Sequence, residues 1–153
     1  MGLELTAYDL GDLLLSFNWL SIALATIASM VVAGVWYQDW AFGKAWKKLT
    51  KIDAKRAEKA GNTPMLVVLV VNFFTAIVLT LAIAVTMFYF DDASGFVRPA
   101  LVASILVWLV SASTLLTHNM FEQKPLRLTA INSGYQLTSF VVMALIIGIW
   151  LVR

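Results

Sequence analysis

His118 and Glu122 stand four residues apart, so a single helical turn would bring an imidazole and a carboxyl within reach of each other as base and acid. Neither a nucleophile with a positioned base nor a metal-ligand constellation accompanies them, and a helix-end His-x-x-x-Glu arises readily by chance. An enzyme is therefore not expected. The chain has no cysteine, which excludes disulfides, thiolate metal sites and cysteine nucleophiles together, and His118 is its single histidine, so no metal site is expected. Six tryptophans and nine phenylalanines near one histidine could cradle a chlorin or haem at a helix end. That chemistry needs paired axial ligands or a proximal histidine at depth, and no cofactor is expected.

The remaining polar groups are neutral. Asn72, Asn119, Asn132, Tyr135 and Gln136, with His118, fall at similar heights on three apolar segments and are predicted to form one cluster. Asn132 and Gln136 share a helix face. An amide without a partner in hydrocarbon costs several kcal/mol, so these side chains must bond across helices or line a polar site.

The elements that would position them follow from composition. The 153 residues are 61% hydrophobic and 13% charged, with a mean hydropathy of +0.84, and the charges bunch between long uncharged runs. Neither a soluble domain nor a nucleic-acid binder has this profile. Four spans are predicted: about 17–37, 65–90, 99–118 and 128–152. The first is 21 residues, about 31 Å of helix, enough for a hydrocarbon core of about 30 Å. Pro64 and Pro99 open the second and third spans at positions where no needed hydrogen bond is lost, and Lys124-Pro125 precedes the fourth. The fold class is all-α, a single four-helix transmembrane bundle over 1–153.

Lys and Arg accumulate in short cytoplasmic loops, and nine bases lie in the first and third loops against only Arg98 and Arg153 on the opposite side. Both termini are therefore expected in the periplasm of a bacterial inner membrane, with the basic loop 38–64 cytoplasmic. Glu4, Asp9 and Asp12, without a neighbouring base, agree. Asp53 is predicted to cap a short helix 54–60 ended by Gly61-Asn62, with Trp40, Trp46 and the surrounding lysines at the headgroups. Anionic lipid is the partner that the bases of 44–59 would meet.

Ser21, Ala25, Ser29 and Ala33 recur every fourth residue on the first helix, and Ala130, Gly134 and Thr138 repeat the device on the fourth. Such stripes let backbones approach closely and are predicted to be packing faces. The two hairpins also share an order, Phe42, bases, Pro64, Asn72 and then Phe121, bases, Pro125, Asn132, as two parallel pseudo-repeats would, placing both asparagines near a common axis.

Trp36-Tyr37, Phe42-Gly43-Lys44-Ala45-Trp46, the run Thr117 to Leu126 with its Phe121-Glu122-x-x-Pro125, and Asn132-Ser133-Gly134-Tyr135 come in that order. With them the chain resembles, over almost its whole length, the bacterial membrane family catalogued as domain of unknown function 1761. A proline often follows the Trp-Tyr pair in that family, and here Gln38-Asp39 stands there. The resemblance implies four membrane helices and supplies no chemistry.

Two functional expectations follow. The first is a non-enzymatic accessory or structural subunit whose small-residue faces pack with another copy or within a larger membrane complex. The alternative is a small oligomeric transporter or channel, in which the amide and phenol cluster meets a neutral or weakly polar solute.

Overall fold

Asn18 starts the first span: its Oδ1 accepts the amide of Ser21 at 3.1 Å, while the Ser21 hydroxyl donates to the Asn18 carbonyl at 2.8 Å. A cap of this kind satisfies an amide that the first helical turn leaves free. In the computed structural model, which describes residues 15–52, 58–90 and 95–151, the helices are α1 (Trp19–Trp36), α2 (Gly43–Thr50), α3 (Thr63–Tyr89), α4 (Val97–Phe121) and α5 (Leu126–Leu151). No strand occurs among the described residues. Glu4, Asp9, Asp12, the Asp53 cap with most of its helix, and Arg153 lie outside them.

Four of the helices, α1, α3, α4 and α5, are long and apolar enough to cross a membrane. The bounds differ modestly from expectation. α1 is shorter, 18 residues, because Asn18 starts it late and the chain turns back at Tyr37. α4 continues a turn past His118 to Phe121, since neither His118 nor Asn119 breaks the hydrogen-bond ladder. Pro64 sits in the first turn of α3, as its missing amide allows. The loop carries an unanticipated helix, α2, which ends where Lys51 takes a left-handed φ of 54°.

α5 packs on each of the other three spans. The closed core sits at the end of the bundle away from the basic loop, where Ile22 and Ala25 of α1, Leu79 and Ile83 of α3, Ala100 and Ala103 of α4, and Met143, Ala144 and Ile147 of α5 are all fully buried. Alanines recur here because dispersion between closely approached backbones, rather than a hydrophobic effect, holds helices together in lipid. A Cβ on Gly148 would lie 2.7 Å from the Phe96 ring. The Thr86 hydroxyl reaches the Pro99 carbonyl at 3.1 Å, tying α3 to α4, and the Arg98 guanidinium lies 4.4 Å over the Phe90 ring.

The two small-residue stripes fare differently. Ser21, Ala25 and Ser29 are buried inside the chain, with Ala33 half-buried, so the α1 stripe packs within this bundle. Leu24, beside it, is exposed. The α5 stripe requires correction. Ala130 is exposed, and Gly134 faces an indole rather than a backbone, because the inward face of α5 at this level runs through Leu128, Thr129 and Ile131.

A candidate cavity at the basic-loop end

The chain reverses between α1 and α2 in a turn that only glycine permits at its close. The Gln38 carbonyl accepts both the Ala41 amide at 3.0 Å and the Gly43 amide at 2.9 Å, and the Phe42 amide donates to the Trp36 carbonyl at 3.1 Å. A Cβ on Gly43 would fall 2.2 Å from the Tyr37 carbonyl oxygen, inside any tolerable contact. The turn needs no proline after Tyr37, and the Gln38 amide that a proline would lack donates to Val35 at 3.2 Å.

This reversal stacks Phe42 on Trp36, with centroids 4.5 Å apart, and sets Trp46 edge-on to Tyr37 at 5.3 Å. Trp36 then covers Gly134, whose Cβ would lie 3.1 Å from the indole, and its Nε1 donates to the Ile131 carbonyl at 3.1 Å. From the other side of α5, Trp108 of α4 donates to the carbonyl and hydroxyl of Ser133, each at 3.0 Å. Two indoles therefore hold the same turn of α5. The Tyr37 hydroxyl donates to Asn132 Oδ1 at 3.1 Å, and the Tyr37 and Tyr135 rings lie 5.4 Å apart.

Beside these contacts is a half-open cavity of about 640 Å³. Met30, Ala33 and Gly34 of α1 with Tyr37 at its end form one wall, and Asn132, Tyr135 and Gln136 of α5 another. Trp46 of α2, the α3 residues Pro64, Met65 and Val68, and Leu115 of α4 complete it. Gly34, Pro64, Met65 and Val68 are the exposed members, which places the mouth at the seam between α1 and α3. Its volume is that of an ordinary small-molecule site, and its walls are apolar with a few convergent neutral polar groups.

The predicted cluster divides. Asn132, Tyr135 and Gln136 meet at the cavity, while the Ser111 hydroxyl donates to Gln136 Oε1 at 3.1 Å. Asn72 is buried, but its amide goes to the Met30 sulfur at 3.8 Å rather than to Asn132. Both asparagines thus bond α1, seven residues apart on it, so the pseudo-repeat does not bring them to a shared axis. Asn119 turns away to the Thr129 hydroxyl at 2.9 Å, tying the end of α4 to the start of α5. His118 is exposed in the last turn of α4 and joins none of them.

Glu122 forms an ion pair with Lys124, whose hydrogen bond and charge hold the carboxyl below its ordinary range. A carboxyl so held is ionised near neutrality and poorly suited to the acid role considered beside His118. Among the described residues no group of three or more metal-ligating side chains occurs.

Several contributors escaped the sequence reading, Met30, Tyr37 and Trp46 foremost. Tyr37 and Met30 lie on α1, apparently remote from α5 until the spans pack, and Trp46 was assigned to the headgroup belt. Trp40, by contrast, is exposed as that belt requires. The one signal available for Tyr37 and Trp46 was their membership of the Trp-Tyr and Phe-Gly-x-x-Trp segments, which the fold joins to Asn132-Ser133-Gly134-Tyr135.

The profile of a family described as a protein of unknown function (DUF1761) matches residues 20–148. Neither the curated proteins nor the solved structures compared with the chain give a match.

Proposed function

The chain belongs to the DUF1761 family, whose description carries no activity, and we propose from the cavity itself that it is a membrane protein that holds a lipid-soluble small molecule bearing a neutral head. The carrying observation is the half-open cavity of about 640 Å³ into which α5 presents Asn132, Tyr135 and Gln136 from one face. Its mouth at the α1–α3 seam opens sideways, toward where acyl chains would lie, so entry from the bilayer suits it better than entry from water. The far end of the bundle is closed by a packed core, which favours holding a molecule over conducting one.

The accessory-subunit reading loses its first support, because the α1 stripe packs inside the chain. Association with a second copy or a larger complex would have to use another face. We further place the basic-loop end at the cytoplasmic face, where Lys44, Lys47, Lys48 and Lys51 would meet anionic headgroups, with both termini in the periplasm of an inner membrane. Single cysteines introduced by Ala60→Cys and Ser94→Cys test that orientation: in intact spheroplasts an impermeant thiol reagent should label only the second.

The binding reading is tested by releasing the protein from nanodiscs made of its native membrane and weighing what stays bound. Wild type should retain a small molecule that Gly34→Leu loses, since a Leu there projects into the cavity and its Cβ meets nothing. Identical contents in the two proteins would end the proposal.

A further inference from the structure

We infer that the head this cavity takes is a hydrogen-bond acceptor, a ketone or ester carbonyl, rather than an alcohol, an amine or an acid. The inference rests on the binding reading above and follows from which hydrogen-bonding groups the protein has already used.

Tyr37 donates to Asn132 Oδ1 and Ser111 donates to Gln136 Oε1, so both amide oxygens at the cavity already hold a proton. The Ile131 carbonyl is taken by Trp36. The protons are what remain. Among the described residues Asn132 Nδ2 and Gln136 Nε2 donate to nothing, and the buried Tyr135 hydroxyl has no partner. Residues 132, 135 and 136 share one helix face and all three line the cavity.

An acceptor with one lone pair idle is common inside proteins, whereas an orphaned donor is rare and costly. The unspent amide protons are therefore the groups in most need of a partner, and a carbonyl supplies two lone pairs with no proton of its own to place. An alcohol brings a proton that would have to share an amide oxygen already bonded to Tyr37 or Ser111. A carboxylate or ammonium would enter beside no opposite charge, because among the described residues no Lys, Arg, His, Asp or Glu lines the cavity. Met30, Met65, Val68 and Leu115 would flank the apolar body behind the head, whose tail would leave through the α1–α3 seam.

The test uses nanodiscs of ether-linked lipid, which contribute no ester carbonyls, loaded with equal amounts of a long-chain methyl ketone, the matching secondary alcohol, the fatty amine, the fatty acid and the alkane. Native mass spectrometry of the released protein reads which is retained. The ketone should be held about tenfold over the alcohol and the alkane, as one to two net hydrogen bonds would give, with amine and acid at background. Tyr135→Phe and Gln136→Leu should each erode that preference several-fold while leaving alkane retention unchanged. Equal retention of ketone, alcohol and alkane, or a preference for alcohol, amine or acid, would overturn the acceptor head and leave the binding reading standing. Retention of none of the five would overturn both.

Discussion

The two ends of this bundle are built from the same four helices and do opposite things. At the closed end Ala25, Ala100, Ala103 and Ala144 bring backbones together until nothing but side chains fits between them. At the basic-loop end the same helices carry Met30, Tyr37, Met65 and Tyr135, and the bundle stays open around a cavity. Small residues close a membrane bundle because contact alone drives association there, and bulky ones hold it apart, Tyr37 with its hydroxyl on Asn132 among them. Rigidity at one end therefore supports space at the other.

The sharpest way to break this comparison is to add the same side chain at both ends. Ala144→Leu should destabilise the protein by about 1–3 kcal/mol through overpacking, whereas Gly34→Leu should change stability by less than about 0.5 kcal/mol and abolish retention of the bound molecule. Reversible unfolding in mixed micelles compares them, and equal losses would mean that the cavity is not open space. Next in size is Gly43→Ala, which should cost on the order of 2 kcal/mol as the turn shifts off the Tyr37 carbonyl, with the larger consequence at the cavity. Tryptophan emission would register the displaced Trp46.

A smaller effect sharpens the picture of the cavity wall. Tyr37→Phe and Asn132→Leu should couple by roughly 0.5 kcal/mol or more in a double-mutant cycle, while Asn72→Leu and Asn132→Leu should add, since each asparagine bonds a different residue of α1. The smallest concerns Asp39, held below the ordinary carboxylate range by its hydrogen bond to, and the charge of, Lys47 at 2.8 Å. A depressed carboxyl stabilises the fold above its unfolded titration and ceases to as pH falls through its folded one. The pair is exposed to water, so Lys47→Ala should leave the thermal midpoint unaltered from neutral pH down through the carboxylate range.

Much of the architecture was legible in the sequence because length and hydropathy constrain a membrane helix directly. Asn18 and Tyr37 trim α1, and α4 gains a turn, but the four spans stand where uncharged runs placed them. The cavity was half legible. Asn132, Tyr135 and Gln136 share a face by helical spacing alone, whereas Met30, Tyr37 and Trp46 arrive through packing and through a turn fixed by the absence of a side chain on Gly43. No periodicity encodes that reversal. The α5 stripe misled for a related reason: a glycine that receives an indole and a glycine that receives a backbone are spelled alike.

Among the described residues the cavity wall carries no ionisable group other than phenols, which bears on what energy could act on its contents. Moving one elementary charge through a membrane potential is worth about 2.3 kcal/mol per 100 mV, but a neutral guest among amides, thioethers and neutral phenols carries no charge to move. Nor do the described residues of its wall include a carboxylate or imidazole through which a proton gradient could be coupled. Occupancy of this site by a neutral guest would answer to the concentration of that guest in the bilayer, and the membrane potential would leave its distribution unchanged.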